Sequence, residues 1–327
     1  MRVFSAVQAT GNLHIGNYIG AIKNWLELQD QHQCFFSVAD LHTITIKQDP
    51  KILRQKTLEI AKIYLAAGLD PKKVIIFIQS HIKEHTELAW ILGTLANFSE
   101  LKRMTQFKEK AEQHFKNVNL GLFSYPVLQA ADILLYQTEI VPVGEDQKQH
   151  MEFTKILAKR FNGLFGKTFV VPEALIKKQG ARIMGLDNPL KKMSKSAASP
   201  YNYLGLLDSQ ELIRKKIAKA VTDSGTEIKF LKNSPAIFNL LTIYQVLSGQ
   251  SEKEIEEKFK NSNYAEFKKE LVKIVLEFLE PFQERFYKIK DKEVNEILQD
   301  GSNKARKIAQ KTIKQVKERM GFIINAK

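Results

Sequence analysis

Two polar segments of the 327-residue sequence combine residue types that could hold a nucleotide polyphosphate. The first, residues 8–17, reads QATGNLHIGN and directly follows a short apolar stretch. Gly11 and Gly16 allow the backbone to approach a flat ligand, and the N–H groups at a helix start favour an anion. His14 adds a side-chain donor. The alternative is a purely structural turn, because a connection between a strand and a helix needs glycine in any case.

The second segment, residues 192–196, has the sequence KMSKS and lies in a stretch rich in Gly, Pro, Lys and Ser. Two lysines and two hydroxyl side chains on a loop suit a leaving pyrophosphate, whose charge grows in the transition state. The plain alternative is a solvated basic turn. Together, the two segments favour an enzyme that releases pyrophosphate from a nucleotide.

Asp132 is a carboxylate within an apolar helical stretch. Positions 125, 129, 132 and 136 fall on one face by helical spacing. The residues next to Asp132 in the sequence are Ala130, Ala131, Ile133, Leu134 and Leu135. Asp132 is therefore either a ligand-binding carboxylate or a buried carboxylate that neighbouring donors satisfy.

Strands and helices alternate through the first half of the chain, and these elements must position the polar segments. Apolar stretches predict strands at residues 2–7, 34–39, 74–78 and 140–143. Helical spacing predicts helices at residues 16–26, 50–67, 86–98, 125–136 and 146–161. Pro126 is expected in the first turn of its helix, and Asp146 at the N-cap of the next. This rhythm predicts a doubly wound parallel sheet that binds ligands at the carboxyl ends of its strands.

The chain beyond residue 200 reads as helical throughout. Helices are predicted at residues 209–221, 239–247, 251–259, 264–287 and 303–320. The sequence therefore predicts an α/β domain at residues 1–200, which ends with the KMSKS segment, and an all-helical domain at residues 201–327. The last helix is a candidate to pack back on the first domain.

The charge of the chain is concentrated in two places. The formal net charge is +14, with ten Lys/Arg against three Asp/Glu at residues 151–200 and eight against one at residues 301–327. Two basic regions on an otherwise balanced chain predict a polyanionic partner. The alternative is a lysine-rich composition that serves solubility alone.

Composition also excludes several classes of protein. Cys34 is the only cysteine, which rules out an internal disulfide and a Cys-rich zinc site. No apolar run approaches the about 20 residues that a membrane span needs. We expect a chain with no zinc and no membrane association, in a reducing bacterial cytoplasm.

Several blocks of this sequence resemble one family. HIGN at residues 14–17 resembles the HIGH signature of class I aminoacyl-tRNA synthetases, and KMSKS is their second signature. The match to the bacterial tryptophanyl-tRNA synthetases, in the tyrosyl/tryptophanyl subclass, runs almost end to end. It includes IGNYIGA (15–21), RMTQFKEK (103–110), AADILLY (130–136), VPVGEDQKQH (141–150), GARIM (180–184), AVTDS (220–224) and NLLTIY (239–244). The resemblance implies a Rossmann-like, HUP-type sheet followed by an anticodon-binding helical domain.

The resemblance also implies a reaction and a nucleotide site. Tryptophan is activated with ATP, with release of pyrophosphate, and is then transferred to the 3′ end of its transfer RNA. The residues implied in catalysis are His14, Lys192 and Lys195. Those implied in binding ATP with Mg²⁺ are Gln8, Ala9, Thr10, Gly16, Asn17, Gly144, Glu145, Asp146, Ile183, Lys192, Met193, Ser194, Lys195 and Ser196.

For the amino acid, the resemblance makes Asp132 the acceptor for the indole N–H. Indole is a donor only, so a pocket for it needs an acceptor, and a ligand without that donor leaves the carboxylate unpaired. The other residues implied in the tryptophan pocket are Phe4, His42, Tyr125, Gln129, Val141, Val143 and Gln147. Ala9 stands where the family commonly has Pro, and Gln129 where Met is common.

The expected partners are transfer RNA, L-tryptophan and a second copy of the chain. The basic regions would contact phosphates, and the helix after residue 147 with the RMTQFKEK segment is the expected dimer interface. Three alternatives stay open: the same reaction on tyrosine, a different nucleotidyltransferase with a HIGH-like loop, and a synthetase-like RNA-binding protein without catalysis. Amino-acid-dependent pyrophosphate exchange separates them.

Overall fold

The computed structural model describes residues 1–113, 118–176, 183–195, 197 and 199–324. The chain divides into two compact units. Unit 1 comprises Met1–Thr10, Trp25–Lys177 and Lys290–Lys327, and unit 2 comprises Gly11–Asn24 and Lys178–Ile289. The first loop of the chain therefore belongs to unit 2, and the final helix belongs to unit 1.

Unit 1 is built on a parallel five-stranded sheet in the order β3-β2-β1-β4-β5, which confirms the predicted fold class. The strands are β1 Arg2–Gln8, β2 Gln33–Ala39, β3 Ile75–Ile78, β4 Ile140–Pro142 and β5 Glu173–Leu175. Strand order reverses between β1 and β4. In doubly wound sheets, ligands bind beside such a reversal, at the carboxyl ends of the strands.

The helices of the first 165 residues only partly follow the prediction. They are α1 Ile15–Asn17, a π-helical segment Tyr18–Ile22, α2 Lys23–Leu28, α3 Asp40–Thr43, α4 Pro50–Ala67, α5 Glu84–Gly93, α6 Phe98–Lys102, α7 Thr105–Gln113, α8 Leu120–Leu134 and α9 Lys148–Phe165. Helix α4 has the predicted bounds, since Asp49 caps its first turn and Gly68 ends it at φ 109°. The predicted helix at 86–98 is two helices, because Asn97 caps a separate α6.

The expectation that Pro126 opens a helix was wrong. Helix α8 begins six residues earlier, at Leu120, where the Asn119 side chain accepts a hydrogen bond from the Leu122 N–H. Pro126 lies inside the helix and is buried. The missing N–H of an interior proline costs helix stability, and here burial of the apolar Pro126 ring offsets part of that cost.

The expectation that Asp146 caps the next helix was also wrong. Residues Glu145–Gln147 form a 3₁₀ turn, and α9 begins at Lys148 with Gln147 at the N-cap. Asp146 instead accepts a hydrogen bond from the Gln147 side chain at 3.0 Å. Because residues Glu145–Gln147 form the 3₁₀ turn, the α-helix begins after them and not next to Asp146.

The last helix, α14, runs Asp291–Arg319, which is twelve residues longer at its start than predicted. Unit 1 includes this helix, and its apolar side chains join the main core of the unit. The residues from α14 in that core are Ala305, Ala309, Ile313 and Val316. The predicted start at residue 303 was too late, because Gly301 is helical and packs closely against β3.

Unit 2 combines the first loop of the chain with four later helices among its described residues. These are α10 Gln210–Lys219, α11 Pro235–Ser248, α12 Glu252–Lys258 and α13 Tyr264–Lys288. Ser209, Ser251 and Asn263 cap α10, α12 and α13 through their side chains. In the part of the chain that the structure describes, no helix is both long and apolar enough to cross a bilayer.

Candidate active site

The carboxyl ends of neighbouring strands in unit 1 bring polar side chains to Asp132. His42 lies on α3, directly after β2, and Gln79 begins the 3₁₀ turn after β3. His85 comes from the first turn of α5. All three side chains contact Asp132, on the buried face of α8.

Asp132 accepts four hydrogen-bond contacts from these three donors. Gln79 Nε2 lies 2.8 Å from Oδ1 and 2.9 Å from Oδ2. His85 Nδ1 lies 2.6 Å from Oδ1, and His42 Nε2 lies 2.9 Å from Oδ2. A carboxylate has about four acceptor positions, so this one is fully occupied.

The surroundings keep Asp132 ionised. Burial alone favours the neutral acid, but the neighbouring His85 and His42 lower the pKa of the Asp132 carboxyl to about 2. Tyr136 Oη lies 2.8 Å from His85 Nε2, and burial raises the pKa of this phenol well above its ordinary value. The phenol therefore stays protonated, and its hydrogen-bond contact with Nε2 holds the His85 ring so that Nδ1 faces Asp132.

Most side chains predicted for the tryptophan pocket lie close to this network. Phe4 stacks on Tyr136 with ring centroids 5.7 Å apart, and the Tyr125 ring lies edge-on to His42 at 6.2 Å. Val141 is buried, and Val143 packs against the same core. The sequence did not identify Gln79, His85, Tyr136 or His150 as site residues, and His150 Nε2 lies 2.9 Å from Tyr125 Oη.

Gln129 joins a second polar chain in unit 1. Its Nε2 donates to Gln147 Oε1 at 3.2 Å, and Gln147 Nε2 donates to Asp146 Oδ2 at 3.0 Å. Gln106 also donates to the backbone carbonyl of Asp146 at 3.1 Å. The unusual Gln129 therefore connects the predicted tryptophan pocket to a residue predicted to bind the nucleotide.

The first signature segment begins at the end of β1. Gln8 is the last residue of the strand, and its carbonyl accepts a hydrogen bond from the Thr10 N–H at 2.8 Å. Ala9 between them is buried. Of the other residues predicted to bind ATP, Gly144 and Glu145 are exposed and lie at the start of the 3₁₀ turn after β4.

In unit 2, the Lys195 side chain lies against the loop at Gly11, and the His14 ring lies close to Gly16. Gly11 has φ +53°, and a Cβ carbon there would lie 2.7 Å from Lys195 Cδ. The Lys195 side chain therefore crosses the loop where only glycine leaves it room. A Cβ at Gly16 would lie 3.0 Å from His14 Nδ1, and Asn17 Oδ1 accepts a hydrogen bond from the His14 N–H at 3.1 Å.

Burial and nearby positive charge keep His14 neutral. Burial, followed by the charges of Lys195, Lys192 and Lys216, lowers the pKa of His14 from 6.5 to about 3. Lys216 is itself buried and pairs with Asp208 at 2.6 Å. The neutral imidazole can donate a hydrogen bond to an anion while adjacent lysines supply the positive charge.

The KMSKS segment is held at its base by backbone and amide hydrogen bonds within unit 2. The Met193 N–H donates to the Ile183 carbonyl at 3.0 Å, and Asn239 bonds both the N–H and the carbonyl of Met184. Asn202 Oδ1 accepts from the Ser194 N–H at 2.8 Å. The remaining predicted residue of the motif, Ser196, lies outside the described residues, as do the first three of the GARIM block.

These features agree with what comparison with known proteins shows. The family of tRNA synthetases class I (W and Y) matches residues 1–280. The chain belongs to this family and is a class I aminoacyl-tRNA synthetase.

The relatives narrow the family further. The tryptophan–tRNA ligase of Wolinella succinogenes is 52% identical over 324 residues, which cover 98% of this chain and 99% of that one. The tryptophan–tRNA ligase of Helicobacter pylori (strain 26695) is 51% identical over 322 residues, with the same coverage of both chains.

Solved structures give the same family by shape. The tryptophanyl-tRNA synthetase of Mycoplasma pneumoniae matches with a TM-score of 0.92 at 37% identity and covers 98% of both chains. The Campylobacter jejuni enzyme complexed with ADP and tryptophan matches with a TM-score of 0.86 at 35% identity, covering 98% of this chain and 100% of that one.

Proposed function

We propose that this chain is a tryptophan–tRNA ligase, which activates L-tryptophan with ATP and transfers it to the 3′ end of its transfer RNA. The observation that carries the proposal is the buried, ionised Asp132 on α8. Indole offers one donor and no acceptor, so an acceptor-only carboxylate suits it, whereas a tyrosine phenol needs a donor as well. Tryptophan–tRNA ligases that are 51–52% identical to this chain over nearly its whole length support the same substrate.

The activation step needs positioning and charge stabilisation from the protein. A carboxylate oxygen of tryptophan forms a bond to the α-phosphorus of ATP, the bond from that phosphorus to the bridging oxygen breaks, and pyrophosphate leaves. Lys192 and Lys195 supply positive charge for the leaving group, and neutral His14 donates a hydrogen bond. Mg²⁺ enters with ATP as part of the substrate. In the second step a ribose hydroxyl of the transfer RNA attacks the activated carbonyl, and AMP leaves.

The residues proposed to bind ATP are those named for the two signature segments and the VPVGEDQKQH and GARIM blocks: Gln8, Ala9, Thr10, Gly16, Asn17, Gly144, Glu145, Asp146, Ile183, Lys192, Met193, Ser194 and Lys195, with Ser196 added from the sequence. The binding of ADP by the Campylobacter jejuni relative supports a nucleotide site of this kind.

The proposed tryptophan pocket belongs to unit 1 alone. Asp132 holds the indole, while Phe4, His42, Tyr125, Gln129, Val141, Val143 and Gln147 complete its walls. Phe4, Tyr125 and Val141 are buried and supply apolar surface for a flat ring. The bound tryptophan of the Campylobacter jejuni relative supports this assignment.

Transfer RNA is the proposed polyanionic partner. Four lysines of α14, at positions 304, 307, 311 and 314, are exposed on unit 1. Such side chains contact phosphates, which set register and affinity without reading sequence. The helices of unit 2 are proposed to bind the anticodon.

A homodimer is proposed from exposed apolar side chains on unit 1. Trp90 on α5, Phe98 on α6 and Leu120 on α8 are 78%, 69% and 77% exposed, and Leu164 on α9 is 64% exposed. Exposed apolar groups gathered on one surface mark association sites, and α5 and α6 both pack against α8. Sedimentation of wild type and Trp90→Glu tests the dimer. A cytoplasmic location completes the proposal, because Cys34 is a buried free thiol and the relatives are bacterial.

The decisive experiment is ATP–pyrophosphate exchange with each of the twenty amino acids, without transfer RNA. Exchange with tryptophan alone is the expected result. Exchange with tyrosine instead would reassign the substrate and leave the class of enzyme standing. Absence of exchange with every amino acid would reject the proposed reaction.

A further inference from the structure

The acceptor positions of Asp132 raise a question about how an indole could reach them. Gln79, His85 and His42 fill all four positions in the described structure, and Asp132 is only 2% exposed. A carboxylate in this state has no position left for a further donor. An indole N–H can bond Asp132 only if one present donor moves away.

Two of the three donors are anchored at a second point. His85 is completely buried, and its other ring nitrogen bonds Tyr136 at 2.8 Å. Gln79 is also completely buried, and its Oε1 accepts from the Leu41 N–H at 3.2 Å. Moving either residue would break a second buried hydrogen bond and leave its partner unsatisfied.

His42 differs from the other two donors in position and exposure. Its side chain is 8% exposed, against 0% for His85. It lies on the four-residue helix α3 at the carboxyl end of β2, where ligands of such sheets bind. Its ring also lies edge-on to that of Tyr125, another residue proposed for the tryptophan pocket.

We propose that His42 is a replaceable donor, which bonds Asp132 in the empty site and gives way to the indole N–H when tryptophan binds. This inference rests on the proposed function. The carboxylate keeps four contacts before and after binding, so the exchange leaves no buried charge unpaired. His42 is thereby a specificity-determining residue. A phenylalanine ring has no N–H, so if it displaced His42 it would leave one acceptor position of Asp132 without a donor.

The exchange predicts an unusual effect of removing the donor. His42→Leu leaves one acceptor position of Asp132 empty in the free protein, whereas the complex with tryptophan fills it. The dissociation constant for L-tryptophan should therefore fall, by about 5–20-fold relative to His42→Gln, the matched variant that keeps a side-chain N–H. If His42 instead stays on Asp132 or directly supports the ligand, the same variant should bind tryptophan equally or more weakly.

Thermal unfolding tests the same donor exchange through the stability of the free and the tryptophan-bound protein. Without ligand, His42→Leu should melt below His42→Gln, and saturating tryptophan should remove that difference, because binding energy adds to stability. A difference that persists at saturation would overturn the exchange. If wild type shows no tryptophan binding at all, the proposed function fails rather than this inference.

A crystal structure with bound tryptophan checks the geometry in the unaltered chain. The expected result is an indole nitrogen within hydrogen-bond distance of Asp132, with His42 Nε2 moved beyond about 3.5 Å from it. A structure that retains the His42–Asp132 hydrogen bond beside the bound indole would reject the proposal.

Discussion

Gly301 of α14 lies so close to the backbone carbonyl of Ile76 in β3 that a Cβ carbon at this position would overlap the carbonyl oxygen. The contact is between two backbones, so no side-chain rotation can relieve it. Nearby, Arg306 donates to the His81 carbonyl at 2.8 Å, and His81 Nδ1 contacts Ser302 Oγ at 3.3 Å. The last helix is therefore fixed directly onto the sheet of unit 1.

Gly301→Ala should lower the free energy of unfolding by about 1–3 kcal/mol or more, because the added methyl forces α14 away from β3. Gly163→Ala is the matched control, since Gly163 lies in α9 with open space around the added carbon. The control should be stabilised by up to about 1 kcal/mol through helix propensity. Urea unfolding of both variants measures the difference, and equal stabilities would contradict the close packing.

Asp132→Asn should weaken both the fold and the selection of tryptophan. The carboxylate accepts hydrogen bonds from Gln79, His85 and His42, whereas an asparagine amide would place its own N–H hydrogens against one of these donors. The free energy of unfolding should therefore fall by about 1–3 kcal/mol. Exchange with tryptophan should fall by about 10²-fold or more, since one of the two acceptor oxygens is replaced by an N–H donor and the negative charge is lost. Asp300→Asn, at an exposed carboxylate on α14, is the control. Unchanged discrimination between tryptophan and phenylalanine would remove Asp132 from its proposed role.

Lys195→Ala should slow adenylate formation by about 10²–10³-fold and change tryptophan affinity little, because charge on the leaving pyrophosphate develops in the transition state. Lys191→Ala is the matched control, an exposed lysine just before the motif. Single-turnover kinetics with a separate tryptophan-binding titration gives both quantities. Equal losses in rate and affinity would assign Lys195 to ground-state binding only.

The lowered pKa of His14 predicts acid-sensitive stability. Between about 3 and 6.5 the unfolded chain binds a proton at His14 that the native protein does not. Stability should therefore be complete above pH 6.5 and decline as the pH falls, with a slope from this residue of at most about 1.4 kcal/mol per pH unit. His14→Gln should show a shallower decline between pH 6.5 and 5. Identical profiles would mean that His14 is protonated in the folded protein.

The sequence predicted the regular elements best where local chemistry defines their ends. Strands β1 and β2 are mostly apolar, and α4 has a capping Asp49, a first-turn Pro50 and a terminal Gly68. The three-residue β5 was not predicted, because its residues form a strand only by pairing with β4. The start of α14 was missed for a similar reason. Glycine disfavours a helix interior, and only the close packing of Gly301 against β3, which the sequence does not show, explains why a glycine lies there.

The site was predictable only in part. Asp132, Tyr125 and His42 stood out as polar or aromatic groups beside strand ends or on one helix face. His85 and Gln79 lie 47 and 53 residues from Asp132 in the chain, and nothing local distinguishes them from ordinary polar residues. The fold alone brings them together, and the resemblance did not name them.

Because α14 belongs to unit 1, the ribosome completes this unit last. It must first synthesise Lys178–Ile289 of unit 2 before it adds the helix that covers β3. At synthesis rates of about 5–20 residues per second, α14 is synthesised several seconds after the strands of the sheet that it covers. During that interval the apolar surface that later holds Ala305 and Ala309 is not yet covered, and transiently exposed apolar surface of this kind is what chaperones bind.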